Sequence, residues 1–348
     1  MTVKSNSHKP FVIPIFLPHA GCPHRCVFCN QSLITGVKSQ ISSVQVRPSV
    51  ESFLKYKSAQ RGMVQIAFFG GNFLGIEIDE IKRLLSEAAA FAKAGRADGI
   101  RFSTRPDTID RTRLDVVKNF PVATVELGVQ SMDDEVLARS KRGHSSADTV
   151  KAVQRLKEFD YEVGVQLMVG LPGDDPGRLL ASARRVAELK PDFIRIYPTV
   201  VIVGSPLAKL YQAGRYRPLS LQDAVTQVKE LYRFFSRRNI PVIRMGLQAS
   251  DDLEEGSTIL AGPYHPSFGH LVYSEIFLEM AVSALKSETP KGDCIGIHVH
   301  PRSISKMSGQ KNGNLKKLRQ KFHLQSIKIV PDDSLQEDQL AVTALPGF

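Results

Sequence analysis

Cysteine is scarce in this chain, with four in 348 residues, at positions 22, 26, 29 and 294. So few, without framework spacing, argue against a disulfide-stapled secreted protein and for a reducing, cytoplasmic setting. No uninterrupted apolar run approaches the ~20 residues a membrane-spanning helix needs, so no membrane partner is expected. Internal repeats and low-complexity tracts are also missing, which excludes a repeat architecture. Acidic residues are absent from one long stretch: none occurs between Cys294 and Pro331, and Asp332 and Asp333 end the run. The formal net charge is +11. That excess suits polyanionic partners, nucleic acid first, and serves equally well as solubilising surface. The length allows one large or two modest domains with an ample core.

What is present is an alternation of short apolar runs and amphipathic stretches. Residues 12–17, 64–69, 99–104, 122–129, 163–169 and 192–203 read as strands. Between and after them, 76–93, 109–119, 133–140, 146–159, 177–189 and 221–238 read as helices. Six β-then-α units with near-continuous apolar strands mean a parallel sheet. A further strand is expected over 241–243. Composition shifts after about Met245, and the acidic segment 249–256 reads as a linker. The expected division is a domain over 1–250 and an extension over 251–348, with one helix at 271–285 and a basic segment from 294 to 331.

Residues 12–31, VIPIFLPHAGCPHRCVFCNQ, organise the rest. The spacing C-x3-C-x2-C places Cys22, Cys26 and Cys29 on one loop. Three thiolates there fit three corners of a cubane 4Fe–4S cluster, which is normally held by four cysteines. Zinc would need a fourth protein ligand, which Cys294 supplies only if folding brings it near. The opening also mimics a lipoprotein signal, with Lys4, Lys9, an apolar run and Ala20-Gly21-Cys22. Pro14, Pro18 and His19 break that run, and such a signal has no use for Cys26 and Cys29. With Phe28 before the third cysteine, the loop resembles that of the radical S-adenosylmethionine (SAM) superfamily. The resemblance implies a partial (β/α)6 barrel, a 4Fe–4S cluster on Cys22, Cys26 and Cys29, and SAM chelated on the open iron.

Parallel barrels place function in the loops after their strands. Those loops hold Gly70-Gly71-Asn72-Phe73, Ser103-Thr104-Arg105-Pro106-Asp107, Gly128-Val129-Gln130-Ser131 and Gly170-Leu171-Pro172-Gly173; Lys141-Arg142-Gly143-His144 follows the fourth strand. Taken singly, these are ordinary turns, caps and surface residues. Together, TRPD, ELGVQS, RGH and VGLPG resemble the radical SAM domain of the Elongator catalytic subunit and its bacterial relatives. More distantly they resemble oxygen-independent coproporphyrinogen oxidase. The resemblance spans about residues 10–250 and carries roles with it. Gly70 and Gly71 would bind the methionine amino group of SAM. Ser103, Gln130, Arg142 and Gln166 would contact SAM, with Arg142 suited to bidentate pairing with its carboxylate. An electron from a donor such as flavodoxin or ferredoxin would start the reaction, and a 5′-deoxyadenosyl radical would take hydrogen from substrate. The Elongator subunit ends in an acetyltransferase domain. This chain lacks room for one and shows no acetyl-coenzyme A signature, so the uridine-carboxymethylating reaction is not carried over. Three readings stand: an enzyme modifying RNA, specifically a tRNA base; an enzyme acting on a small molecule; and a binding protein with a structural cluster.

The tail holds a second pattern. A strand, IGIHVH, leads to 303–307, then Ser308-Gly309-Gln310-Lys311-Asn312, a helix GNLKKLRQKF and a strand SIKIV. That order resembles the core of a KH domain, whose GXXG loop clamps a nucleic-acid backbone. The extension is thus expected to be a small α+β, KH-like unit. Asn312 stands where the second glycine would be, and Gly309, Lys311, Lys316 and Lys317 are the implied RNA contacts. The bland alternative is a solvated basic face. His298 and His300 alternate on the strand, and with Cys294 they suggest a second metal site lacking a fourth ligand; ordinary strand pattern accounts for them equally. Tyr197, Arg215, Arg217, Tyr264 and His265 are further substrate candidates, each also readable as turn or surface.

Overall fold

The computed structural model describes residues 10–35, 43–56, 62–248, 258–288 and 292–345; the expected linker at 249–256 lies outside them. Apolar runs bounded by glycine and proline pair in sequence order. They are β1 (Phe11–Phe16), β2 (Val64–Phe69), β3 (Gly99–Thr104), β4 (Val122–Gln130), β5 (Glu162–Val169) and β6 (Phe193–Pro198). The expected strand 192–203 breaks after Pro198. Its remainder becomes a two-residue strand, β7 (Val201–Ile202), outside the main sheet. The strand expected over 241–243 forms as β8 (Val242–Met245), taking in Arg244 and Met245; it pairs parallel with β6 and gives the sheet a seventh strand.

Helices α1 (Gln31–Thr35), α2 (Ser43–Leu54), α3 (Ile78–Lys93), α4 (Arg111–Val117), α5 (Asp134–Arg139), α6 (Ser146–Glu158), α7 (Pro176–Glu188), α8 (Pro206–Gln212) and α9 (Leu221–Ser236) fill the connections. Their starts follow local chemistry. Ser145 and Asp148 form a reciprocal capping box on α6, and Asp175 caps α7 ahead of Pro176. The sequence pattern missed α1, α2 and α8.

Strand side chains alternate faces. Ile13, Ile15, Ile66, Phe68, Ile100, Phe102, Val125, Leu127, Val165, Leu167, Ile194 and Ile196 point into one core with the helices. The intervening positions carry Gln65, Arg101, Ser103, Thr124, Glu126, Gln166, Arg195 and Tyr197. The sheet therefore curls as a partial barrel around a polar interior. Phe68, Phe73 and Phe102 stack at 5.0 and 4.6 Å and fix the loop after β2 to the core. Phe73 is 2% exposed. Replacing it by alanine is expected to cost about 3–5 kcal/mol in urea unfolding; a loss under 1 kcal/mol would show that the stack does not hold this loop.

Beyond β8, strand β9 (Ile259–Ala261) pairs antiparallel with β7. Helix α10 (Phe268–Glu288) is 21 residues long, longer than the expected 271–285. Length and composition would let it cross a membrane. Here Phe268, Val272 and Ile276 enter the first core, while Phe277, Leu278, Ala281 and Leu285 enter a second. A helix serving two cores is apolar nearly all round. The second core lies against a three-stranded sheet ordered β11-β10-β12: β10 (Cys294–Val299), α11 (Ile304–Ser308), α12 (Gly313–Phe322), β11 (Ser326–Pro331) and β12 (Leu340–Ala344). β12, which the pattern missed, runs antiparallel to β10. His298 sits on β10 against Thr343, 2.9 Å away. His300 lies past the strand end and accepts from the Arg302 amide, so the two histidines do not share one strand face.

Candidate functional site

Main-chain bonds close the cysteine loop on itself. The Cys22 amide donates to the His19 carbonyl and the Cys29 amide to that of Cys26. The loop is tied outward to both sides, since Val27 donates to the Ser140 carbonyl and Leu207 donates to that of Val27. Cys26 is buried, while Cys22 and Cys29 are half-buried. Burial pushes the Cys29 thiol up to about 12, with the charges of Cys26 and Cys22 adding to it. Burial and then Cys26 raise Cys22, opposed by Arg105 and Arg142. The three thiols thus crowd one another, and two guanidiniums lean on them. Cys294 is elsewhere, buried in β10 with its thiol 3.6 Å from Gln325 Oε1. Among the described residues no three His, Cys, Asp or Glu side chains form a single-ion site. A cubane makes no such demand, because it spreads its thiolates over separate irons.

Gly70 and Gly71 back this loop. A Cβ on Gly71 would come within 2.4 Å of the Ala20 carbonyl oxygen and 2.5 Å of that of Leu17. Only glycine allows the two backbones to lie so close. The neighbouring Asn72, unexposed, was not singled out from sequence and is the hub here. Its amide nitrogen donates to the Gly21 carbonyl at 2.8 Å. Its side-chain oxygen accepts from Thr104 Oγ1 at 2.7 Å, Thr108 Oγ1 at 2.9 Å and the Arg105 backbone at 3.0 Å. The loops after β1, β2 and β3 are thereby locked together.

Arg142 and Gln130 arrive from the fourth unit. Gln130 has a left-handed φ of 70°, and the β4–β5 register shifts beside it. Such an irregularity turns the strand end out of the ladder. Arg142 is 6% exposed; its Nη1 donates to Cys26 Sγ at 3.0 Å and its Nη2 to the Gly128 carbonyl. Around them lie buried polar atoms with no partner: Gln130 Oε1, Arg142 Nε and Arg105 Nη1; buried His144 beside them bonds the Val129 backbone. Burial, then Arg142 and Arg105, pull His144 down to about 3, so its ring is neutral at physiological pH. His144 belongs to the RGH motif, yet sequence alone gave it no role. Buried orphans of this kind call for a polar ligand, and with three thiols beside them the donor set fits an iron–sulfur cluster carrying a small polar molecule.

Ser103 and Gln166 belong to a second group on the polar inner face. Gln166 Nε2 donates to Glu126 Oε2 at 3.0 Å and to Ser103 Oγ at 3.3 Å. Glu126 is unexposed and faces Arg195 Nε at 3.0 Å and Arg101 Nη1 at 3.6 Å. Arg195 also reaches Tyr197 OH at 3.4 Å. Burial, with Arg195 contributing, lowers the pKa of Arg244 nearby. Sequence reasoning missed Glu126 inside ELGVQS, although a charge in a buried strand was the available signal. Gly309, Lys311, Lys316 and Lys317 lie in a third place, in the C-terminal sheet unit.

The loop after β5 offers a pH test. Burial raises Asp174 to about 7, with Asp175 and Asp133 adding to the effect. The folded state therefore keeps a proton that the unfolded chain releases near its ordinary value. That stabilising contribution is complete below the unfolded pKa and is lost as pH rises through about 7. Asp174→Asn is expected to gain stability over wild type on the order of 2 kcal/mol between pH 5 and pH 8. An equal difference at both pH values would contradict the burial.

The radical SAM superfamily model matches residues 16–186, and the radical SAM C-terminal domain model matches 191–277. A tRNA uridine(34) acetyltransferase of Dehalococcoides mccartyi is 28% identical over 276 residues, covering 68% of this chain and 60% of that protein. Elongator complex protein 3 of Saccharomyces cerevisiae is 32% identical over 156 residues, covering 41% of this chain and 28% of that protein. The chain thus spans only part of these relatives. The archaeal Methanocaldococcus infernus Elp3 with an N-terminal deletion superposes with a TM-score of 0.59 at 23% identity, over 76% of this chain and 62% of that one, and shares the fold. Two consecutive radical SAM matches over residues 16–186 and 191–277, on a parallel half-barrel bearing the three-cysteine loop, show that the chain belongs to the radical SAM superfamily of enzymes.

Proposed function

We propose that this enzyme modifies RNA, with a tRNA base as substrate, using a 4Fe–4S cluster on Cys22, Cys26 and Cys29. SAM would sit against Gly70, Gly71, Ser103, Gln130, Arg142 and Gln166. When bound and reduced by a flavodoxin- or ferredoxin-type donor, the cluster and SAM supply one-electron cleavage of SAM and hydrogen abstraction from substrate. The observation that carries the cofactor reading is the set of unpaired buried atoms on Gln130, Arg142 and Arg105, of which the two guanidiniums act on the cysteine loop. The protein's own part is positioning and exclusion of water. Asn72 fixes the loops, Arg142 offsets thiolate charge, and neutral His144 can hydrogen-bond without adding to the positive charge of Arg105 and Arg142. The tRNA reading is supported by relatives named for tRNA uridine(34) chemistry and by the basic charge of the chain.

Arg142→Lys is expected to weaken SAM binding about tenfold or more by calorimetry, since an ammonium cannot span two acceptors as a planar guanidinium does. Unchanged affinity would remove Arg142 from the site. The substrate test is mass spectrometry of tRNA nucleosides from a strain lacking the protein. One modified nucleoside should vanish and return with the wild-type gene but not with Cys26→Ala. Unchanged tRNA nucleosides would contradict the RNA reading and favour a small-molecule substrate.

A further inference from the structure

The tail motif acquires a definite shape in the fold. β10 leads through a short turn and α11 to Gly309-Gln310-Lys311-Asn312, then α12, and β11 returns parallel to β10. The loop is built rather than loose. Gly309, Lys311 and Asn312 all have positive φ, and a Cβ on Gly309 would meet Ser274 Oγ at 2.8 Å. Asn314, 4% exposed, pins the loop from beneath, donating to the Ser274 carbonyl at 2.8 Å and the Lys306 carbonyl at 3.4 Å. Gln310, Lys311 and Asn312 remain exposed.

Charge around this loop is unevenly neutralised. Arg302 and Lys306 are paired with Glu337 at 3.0 and 3.8 Å. Lys317 reaches Glu275 only at 4.0 Å and stays 60% exposed. Lys311 and Lys316 meet no carboxylate among the described residues. Helix α12 buries Asn314 and Leu318 and turns Lys316, Lys317, Arg319 and Lys321 outward. It contains no acidic residue, and Lys317 and Lys321 stand one turn apart, an arrangement that costs the helix stability. An anionic partner would remove that cost.

Position links the face to the chemistry. Gln310 Nε2 lies 3.4 Å from His265 Nε2. His265 follows β9, which pairs with β7 just beyond β6. After β7, the Val203 carbonyl accepts from Asn30 Nδ2 at 2.9 Å, and Asn30 adjoins Cys29. One ribbon therefore bridges the basic loop and the cysteine loop.

We infer that Lys311, Lys316 and Lys317, presented with the Gly309–Asn312 loop, bind the phosphate backbone of a single-stranded RNA segment and hold it toward the cysteine-loop site. This rests on the RNA reading above and adds the surface that engages the strand. The test uses the full-length protein, unmodified tRNA and a single-stranded RNA oligonucleotide, with affinity measured from 50 to 200 mM salt. Wild type is expected to bind both, more weakly as salt rises. The triple charge reversal K311E/K316E/K317E should lose at least tenfold in affinity, and its log–log salt slope should fall by about 2. The neutral set K311Q/K316Q/K317Q should lose less, at an unchanged melting temperature. A matched reversal of exposed residues on and after α7 and α9, R184E/K190E/R237E, makes the same change in net charge and should bind as wild type. Wild-type affinity in the first variant, equal losses in both reversals, or no RNA binding by wild type would each overturn the inference. SAM cleavage without RNA, followed in the same preparations, should not change. Its absence from wild type would sink the catalytic reading while leaving the binding result to stand or fall separately.

Discussion

Cys26→Ala is expected to purify without the brown iron chromophore, whereas Cys294→Ala should retain it in full. The reason is geometry. Cys22, Cys26 and Cys29 share one loop closed by its own main-chain bonds, where burial and then Cys26 raise the cost of ionising both Cys22 and Cys29. A bound cluster would take all three as thiolates from one short loop, releasing their protons as it binds. Cys294 instead fills a buried position in β10, against Gln325, the default role of a lone cysteine. Cys26→Ser keeps the volume and an acceptor for Arg142, so it separates iron loss from disturbed packing. It too should lose most of the visible absorption. Normal iron content in Cys26→Ala would refute the assignment, and so would iron loss in Cys294→Ala at unchanged stability.

Glu126→Gln should be the most destabilising of the single changes in the barrel interior. Glu126 is unexposed, and the guanidiniums of Arg101 and Arg195 both depend on it. Glu162 lies 3.8 Å from Arg101 but is 46% exposed, so it cannot take over. Removing the anion leaves two buried cations facing an amide, and breaking such a buried set costs about 3–5 kcal/mol. Replacing exposed Glu51, whose contact with Arg96 is 3.7 Å, should change little. Denaturant unfolding of the two variants makes the comparison. A Glu126→Gln protein within ~1 kcal/mol of wild type would mean that the interior charges are solvated rather than mutually held.

The parts legible in sequence are those set by local physics. Val64–Phe69 and Gly99–Thr104 are strands at the expected residues because continuous apolar runs between turn signals leave no other solution. Gly71, Gln130 and Arg142 were named through the family resemblance, since each alone reads as a turn or surface residue; the structure brings Arg142 onto Cys26. The residues that escaped notice depend on contacts far apart in the chain. Asn72 is an ordinary turn residue until Gly21, Thr104 and Thr108 converge on it. Glu126 looks like a strand polar position until Arg101 and Arg195 close over it. β12 was missed although Leu340–Ala344 is a short apolar run, because five residues carry little periodicity; the edge of β10 makes it a strand. Proline explains the broken strand at Pro198, since a residue without an amide proton cannot continue the ladder.

The central claim, that the three-cysteine loop supports reductive cleavage of SAM, is open to one direct measurement. The protein is reconstituted anaerobically with iron and sulfide, reduced, and given SAM, and 5′-deoxyadenosine is quantified by chromatography. Wild type should form it, and Cys22→Ala, Cys26→Ala and Cys29→Ala should not. An intact, reducible cluster that yields no 5′-deoxyadenosine from bound SAM would contradict the account.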